Sequence, residues 1–129
     1  MNKTIRLYRP TGQKELDLVE QSDWKTWPPR LPDQLIFYPV LNEEYATMIA
    51  RDWNVKHSGV GYVTTFLVDA DYLTKYNIQQ VGGKNILEYW IPAEELEEFN
   101  KHIIGKIEVL AKFTIADYLR DASAEGKDD

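Results

Sequence analysis

The chain has 129 residues, a length that fits one domain and is too short for two. Of these residues 43% are hydrophobic and 12% aromatic, which is enough for one packed core. With 15 Lys and Arg against 21 Asp and Glu, its net charge of -6 argues against broad nucleic-acid binding, because binding along a polyphosphate backbone needs clustered cations. The lack of cysteine excludes a disulfide framework, a thiolate nucleophile and a cysteine-based metal site.

The first predicted elements are a strand and a short helix. Ile5 and Leu7 alternate with Arg6 and an aromatic neighbour, and this period of two predicts a strand that ends near Arg9. A Pro-Thr-Gly turn then leads into a predicted helix over residues 13–21.

A rigid surface loop is predicted over residues 23–34, because its three prolines remove backbone donors and favour extended geometry. Its Trp24, Trp27 and Arg30 allow two interpretations. They form a lid over a substrate, or the indole rings pin the loop to the core; the second is favoured because tryptophan is usually well buried.

The middle of the chain predicts a strand, a helix and a longer strand. Residues 35–40 form the first of these, and Pro39 places this strand at an edge or marks its end. Asn42 caps a helix that we expect to end around Asn54. Residues 60–68 then form a long strand that is at least partly covered on both faces.

The last third of the chain predicts a hairpin, a helix, a strand and a short helix. The hairpin joins residues 76–81 and 86–91 through a Gly-Gly turn signal, and the helix starts at Pro92. The strand covers residues 107–113 and the short helix covers residues 115–120. Without a regular βαβ repeat, this order predicts an α+β fold, a compact split mixed or antiparallel sheet of about six strands with two or three helices.

We expect residues 1–121 to form a single domain and residues 122–129, which are small or charged, to form a disordered acidic tail. No apolar run approaches the roughly 20 residues that span a bilayer, and no hydrophobic signal segment follows Lys3. The sequence therefore predicts a cytoplasmic protein that does not bind membranes.

Glu88 is the first candidate functional residue, because its neighbours in the predicted strand are all apolar. A carboxylate in such a run points to water, finds a partner, or stays buried with a raised pKa. In a cleft it can bind a ribose hydroxyl and stabilise an oxocarbenium-like transition state. Judged by residue type alone, a solvent-facing glutamate on an edge strand is the more common outcome.

Arg9, Tyr38 and Tyr45 are the other candidates. The Arg9 guanidinium suits a phosphate or carboxylate, although a structural ion pair with an acidic side chain explains it equally well. Tyr38 offers a flat face to a nicotinamide-like ring, although burial in the core is the more common fate of tyrosine. Tyr45, on the following helix, is a weaker candidate for the same contact. His57 and His102 lack metal-ligand spacing, so we expect no metal site and assign them surface or capping roles.

The order and strand context of three segments resemble the ADP-ribosyltransferase superfamily, whose compact split sheet binds NAD. The segments are Leu7-Tyr8-Arg9, Phe37-Tyr38-Pro39-Val40 and Glu88-Tyr89-Trp90-Ile91. The resemblance spans residues 5–113 and implies NAD as a substrate, with Arg9 at its ribose or phosphate, Tyr38 at the nicotinamide and Glu88 as the catalytic residue. The chain also resembles a bacterial group labelled with ADP-ribosylation and a crystallin; the crystallin label belongs to large helical hydrolases and does not fit this short, strand-rich chain.

Two departures from the superfamily pattern leave the acceptor open. Arginine-first members carry a Ser-x-Ser-like middle motif and a second Glu or Gln two places before the catalytic one, where this chain has Tyr38 and Ile86. The resemblance therefore implies either transfer of ADP-ribose to an unknown acceptor or a catalytically inactive nucleotide- or protein-binding module of the same fold. A third possibility, a relative of RNA phosphotransferases that use NAD, is disfavoured by the acidic charge.

Overall fold

The computed structural model describes residues 3–126. Its central feature is an antiparallel sheet in which β3 (Val60–Asp69) lies between β1 (Thr4–Thr11) and β7 (Ile103–Thr114). Most of β3 is buried, because strands pair on both of its edges and helices pack against it. The prediction of a long covered strand is therefore confirmed, whereas β7 begins earlier than the predicted strand at residues 107–113.

Two shorter strand pairs complete the β-structure. β2 (Ile36–Phe37) pairs with β6 (Ile91–Pro92), and β4 (Ile78–Gln80) pairs with β5 (Leu87–Tyr89), both antiparallel. The β4–β5 pair confirms the predicted hairpin. Together with the helices, these antiparallel strands confirm the predicted α+β class.

A single residue, Val40, joins β1 to β5. Its N–H donates to the Tyr8 carbonyl at 2.8 Å and its carbonyl accepts from the Tyr8 N–H at 2.9 Å, and it forms a second bridge with Glu88. The prediction of one continuous strand over residues 35–40 is wrong in extent. Pro39 interrupts it, because proline has no N–H to donate to a neighbouring strand.

Helical segments fill the connections between the strands. They are α1 (Gln13–Gln21), α2 (Glu43–Ile49), a π-helical turn (Ala50–Asn54), α3 (Val55–Ser58), α4 (Ala70–Leu73), a 3-10 turn (Ala93–Glu95), α5 (Leu96–Lys101) and α6 (Ile115–Gly126). The first has the predicted bounds, but the described residues contain more helical segments than the two or three expected. Within those residues, none of the helices has both the length and the apolar character needed to cross a bilayer.

The helix after Val40 starts as predicted and ends later. The Asn42 side chain accepts a hydrogen bond from the Tyr45 N–H at 2.7 Å, which confirms the predicted cap. The helix continues through the π-helical turn and α3, so its predicted end near Asn54 is wrong by about one turn. It ends at Gly59, which has a φ of +80°, a conformation that glycine adopts without steric cost.

Two elements near the C-terminus also differ from expectation. Pro92 is not the first helical residue, because it pairs with Ile36 in β6; the 3-10 turn begins one residue later, at Ala93, and continues into α5 at Leu96. The last helix, α6, runs beyond the predicted end at residue 120. The expected tail over residues 122–129 therefore falls partly within this helix and partly, from residue 127, outside the described residues.

The loop over residues 23–34 is held against the main hydrophobic core by its tryptophans. Trp27 is 1% exposed and packs edge-on against Phe66, and the partly buried Trp24 packs against the same cluster. The Asn100 side chain accepts from the Trp27 N–H at 2.8 Å and donates to the Trp27 carbonyl at 2.9 Å. The interpretation that the indole rings pin this loop to the core is confirmed.

The π-helical turn presses closely onto β3. An added Cβ on Gly61 would lie 2.0 Å from the backbone oxygen of Ala50, so only glycine permits this approach. The same turn carries Trp53 and Asn54, and π-helical turns are frequent at functional sites. The contact at Gly61 therefore sets where those two side chains lie.

Candidate functional site

Three of the residues predicted from the sequence line one cavity of about 450 Å³. They are Arg9 from β1, Tyr38 from the segment after β2 and Glu88 from β5. A cavity of this size falls in the range of small-molecule sites in proteins. The structure thus brings together a cation, an aromatic ring and a carboxylate from distant parts of the chain.

The pairing of Val40 explains why these side chains meet. Tyr8 and Glu88 lie opposite Val40 on its two sides, so β1 and β5 are separated by two strand spacings, about 10 Å. Arg9 follows Tyr8 directly, and Tyr38 lies two residues before Val40. The two backbone bridges of Val40 therefore place residues 9, 38 and 88 around one opening.

Arg9 is held by an acidic partner from α1. Its Nε and Nη2 donate to the two carboxylate oxygens of Glu15 at 2.6 and 2.8 Å, and its Nη1 donates to the Tyr38 carbonyl at 3.3 Å. The guanidinium also lies 4.5 Å from the centre of the Phe37 ring. The structural ion pair considered for Arg9 is therefore present, and it is part of the cavity wall.

A second guanidinium shares the same carboxylate. Nη1 of Arg30, from the proline-rich loop, lies 3.7 Å from the Glu15 carboxylate, and both Arg30 and Glu15 line the cavity. Burial acts to raise the pKa of Glu15, but Arg9 and Arg30 outweigh it, and the pKa is lowered from its usual value. This end of the cavity holds two cations against one anion.

Glu88 is buried, with 8% of the residue exposed, and not the solvent-facing glutamate that its residue type favoured. The reason is that β5 pairs with β4 on one side and with Val40 on the other, so it is not an edge strand. The Trp90 indole N–H donates to Oε1 of Glu88 at 2.7 Å. The carboxylate is thereby held in a fixed orientation at the cavity wall.

Tyr45 supports Glu88 from α2. Burial, together with the nearby Glu88 carboxylate, raises the pKa of Tyr45 above the usual value of a phenol. Tyr45 is not among the described residues that line the cavity. The structure thus places this residue, predicted as a cofactor contact, beside the carboxylate and outside the wall.

Exposed aromatic rings border the cavity. Tyr38 is 41% exposed, contrary to the core burial that is common for tyrosine, and it meets Trp90 edge-on at a ring-centroid distance of 6.4 Å. Trp53, from the π-helical turn, is 55% exposed and stacks on His57 at 4.2 Å. Such rings offer flat faces for a planar ligand.

Three side chains of the cavity wall have a buried polar atom that lacks a hydrogen-bond partner within the described part of the chain. They are Thr11, through its Oγ1, Asn54, through its Oδ1, and Arg30, through its Nε. A buried polar group without a hydrogen bond costs free energy, so each calls for a partner. A ligand in the cavity is one source of such partners.

Sequence reasoning missed several members of this wall. Glu15 had one usable signal, an acid in the first turn of the helix that directly follows the Arg9 turn. Trp53 recurs at helical spacing with Ala46, Ile49 and Ala50, which is typical of an apolar helix face, and Asn54 lies at the predicted helix end. No local signal separates these from ordinary helix residues, because their exposure depends on how the π-helical turn meets β3.

A larger cavity of about 590 Å³ lies between the proline-rich loop and α5, lined in part by Trp27, Pro29 and Leu96. It contains none of the four predicted site residues. Its glutamates, Glu94 and Glu97, are exposed to solvent. With no buried acid or arginine in its wall, it is a weaker candidate for chemistry.

In the part of the chain that the structure describes, no group of three or more His, Asp or Glu side chains is placed to hold a metal ion. The two histidines have other contacts. Nδ1 of His57 lies 2.8 Å from the Trp53 carbonyl at the end of its helix, and Nε2 of His102 lies 3.0 Å from the Glu98 carboxylate.

Replacing Glu15 by glutamine is expected to destabilise the fold by about 1–3 kcal/mol at pH 7, a value reduced from that of a fully buried pair because the pair is partly exposed. Because the pKa of Glu15 is lowered on folding, its stabilisation is present above the unfolded pKa and is lost as the pH falls through the folded pKa. Urea unfolding at pH 7 and at about pH 3.5 would measure both effects.

The exposed Glu20 on the same helix supplies the control. Glu20→Gln should leave stability within about 0.5 kcal/mol and keep the wild-type pH dependence. Equal behaviour of the two variants would mean that the Arg9–Glu15 pair contributes nothing to stability.

Comparisons with protein-family models, with curated proteins and with solved structures find no match for this chain. The resemblance to ADP-ribosyltransferases therefore stays a prediction from the sequence. The geometry of the cavity is an independent observation on which a function can be proposed.

Proposed function

We propose that the protein binds NAD in the cavity lined by Arg9, Tyr38 and Glu88 and transfers its ADP-ribose to an acceptor. The observation that carries this proposal is the convergence of these side chains on one cavity. Each matches a part of NAD, since a guanidinium suits the phosphates, an aromatic face suits the nicotinamide ring and a carboxylate suits the ribose.

The reaction follows from these groups. Nicotinamide leaves with the electron pair of its glycosidic bond, and positive charge develops on the ribose. Glu88 accepts a hydrogen bond from a ribose hydroxyl and stabilises that charge, and Tyr38 lies against the pyridine ring. The acceptor then attacks the ribose carbon and loses a proton.

The setting of Glu88 supports this role. Trp90 holds one of its oxygens at 2.7 Å and Tyr45 lies beside the carboxylate, so Glu88 does not have to be ordered during the reaction. Its burial keeps water away, and a negative charge acts more strongly in such surroundings.

Incubation with labelled NAD tests the proposal. With the label in nicotinamide, a transferase releases free nicotinamide; with the label in adenosine, the label moves onto the acceptor when cell lysate is added. A wild-type protein that releases no nicotinamide above the uncatalysed rate, with or without lysate, would contradict the transferase assignment.

A second function, a nucleotide-binding module without catalysis, is favoured by two observations. The guanidinium of Arg9 is already engaged by Glu15, and Ile86 stands where a second acid or amide would help select the acceptor. Titration calorimetry separates the two functions, because a module binds NAD without consuming it. A stoichiometric protein partner with no NAD binding would instead favour a protein-binding module.

Replacing Tyr38 by leucine is expected to weaken NAD binding about 5- to 20-fold, because the pyridinium loses an aromatic face while the cavity stays apolar at that point. Tyr38 is 41% exposed, so the fold should be unaffected. Calorimetric titration with NAD measures the change. Tyr118→Leu on α6, outside the cavity, is the control, and a loss of affinity equal to that of Tyr38→Leu would argue against ring contact at Tyr38.

A further inference from the structure

Arg30 is a largely buried cation that makes no hydrogen bond within the described residues. Only 11% of its side chain is exposed, and its closest anionic atom, Oε1 of Glu15, lies at 3.7 Å, beyond hydrogen-bond distance. Its Nε is buried without a partner. A guanidinium has five N–H donors, and in this arrangement those of Arg30 have no acceptor among the described residues.

Arg9 differs from Arg30 in this respect. It makes two short hydrogen bonds to Glu15 and one to the Tyr38 carbonyl, which use three of its five donors. Both carboxylate oxygens of Glu15 therefore accept hydrogen bonds from Arg9. Arg30, the second cation at this end of the cavity, does not hydrogen-bond to that carboxylate.

The loop holds Arg30 in place before any ligand binds. Its anchor, Trp27, is fixed by both backbone hydrogen bonds to Asn100, and two prolines connect Trp27 to Arg30. Prolines limit backbone freedom, so little ordering of the backbone is needed when an anion binds. The Arg30 guanidinium also lies 5.9 Å from the Phe37 ring.

We propose that Arg30, in place of Arg9, makes the main contact to the phosphate or diphosphate group of the ligand, while Arg9 holds Glu15 and Glu15 in turn positions Arg30. The cavity beside Arg30 is open, and a planar guanidinium binds phosphate oxygens through two parallel hydrogen bonds. The identity of the ligand as a dinucleotide rests on the proposed function; the site for a phosphate anion does not.

Calorimetric titration of the full chain with inorganic pyrophosphate, ADP-ribose and nicotinamide tests this assignment. Arg30→Gln should weaken pyrophosphate and ADP-ribose binding about 10-fold or more, the loss expected for charged hydrogen bonds, and should leave nicotinamide binding unchanged. Arg120→Gln removes the same charge on α6, where 72% of the side chain is exposed, and should change none of the three.

A second variant separates the effect of the charge from that of the guanidinium geometry. It also keeps the test valid if Arg30→Gln does not fold. Arg30→Lys retains the positive charge beside Glu15 but cannot make two parallel hydrogen bonds, so ADP-ribose affinity should fall by a smaller factor, about 3- to 5-fold. Thermal unfolding of both variants shows whether the fold is intact.

The outcomes are distinct from those of the transferase test. Wild-type affinity for ADP-ribose in Arg30→Gln, or no binding of pyrophosphate and ADP-ribose by the wild type at millimolar concentration, would overturn the Arg30 assignment. Binding of ADP-ribose that depends on Arg30, without any release of nicotinamide from NAD, would support this site and contradict the transferase function.

Discussion

Replacement of Glu88 by glutamine is expected to lower the rate of nicotinamide release from NAD by about 100- to 1,000-fold, the range for loss of one preorganised electrostatic group. Glutamine has nearly the same shape and can still accept the hydrogen bond that Trp90 now makes at 2.7 Å. It cannot supply the negative charge that stabilises the ribose cation in the proposed reaction. The fold should therefore survive while the chemistry is lost.

Turnover and thermal unfolding of this variant are measured side by side. NAD affinity should change by much less than turnover, because the charge acts mainly in the transition state. Glu97→Gln on the exposed face of α5 is the control and should behave as the wild type in both measurements. Full turnover by Glu88→Gln would remove Glu88 from the mechanism.

Replacement of Gly61 by alanine is expected to destabilise the fold by about 3 kcal/mol, the upper end of what overpacking usually costs. The added methyl would lie 2.0 Å from the Ala50 oxygen and 2.7 Å from its carbonyl carbon. Both are backbone atoms, so no side-chain rotation relieves the overlap. The π-helical turn must move away from β3, and Trp53 and Asn54 must move with it.

Urea unfolding measures the stability of this variant. NAD titration then tests the link to the cavity, with weaker binding expected if the turn forms the wall. Gly83→Ala adds the same methyl in a turn where its nearest contact is a side chain, Ile86, at 3.2 Å, and should cost at most about 1 kcal/mol. Equal stability of the two variants would show that β3 and the turn separate easily.

Local patterns predicted many of the elements. The helix α1 has its predicted bounds, the Asn42 cap is present and the β4–β5 hairpin forms, since each depends on residues close together in the chain. The errors lie where distant contacts decide. Pro92 pairs with β2 and precedes the helical segment that it was predicted to start, and the helix after Asn42 continues past its predicted end.

The candidate site was predictable as a set of residue types but not as an arrangement. Glu88 was singled out because an acid in an apolar run needs an explanation, and it is indeed buried beside the cavity. Its burial depends on Val40 and β4 covering the two edges of β5. The exposure of Tyr38 likewise depends on the neighbouring strands, which no local pattern specifies.

The sequence by itself determined the fold class and most helix and strand positions. It also pointed to a carboxylate, an aromatic ring and a guanidinium as candidate site groups. Periodicity, capping and side-chain chemistry are local properties, so they can be read from the sequence. Only the tertiary structure decided that Arg9 is paired with Glu15, that Arg30 is left without a hydrogen-bonding partner among the described residues, and that Val40 joins β1 to β5. These outcomes depend on contacts between residues that are far apart in the chain, and burial and charge pairing are set by such contacts.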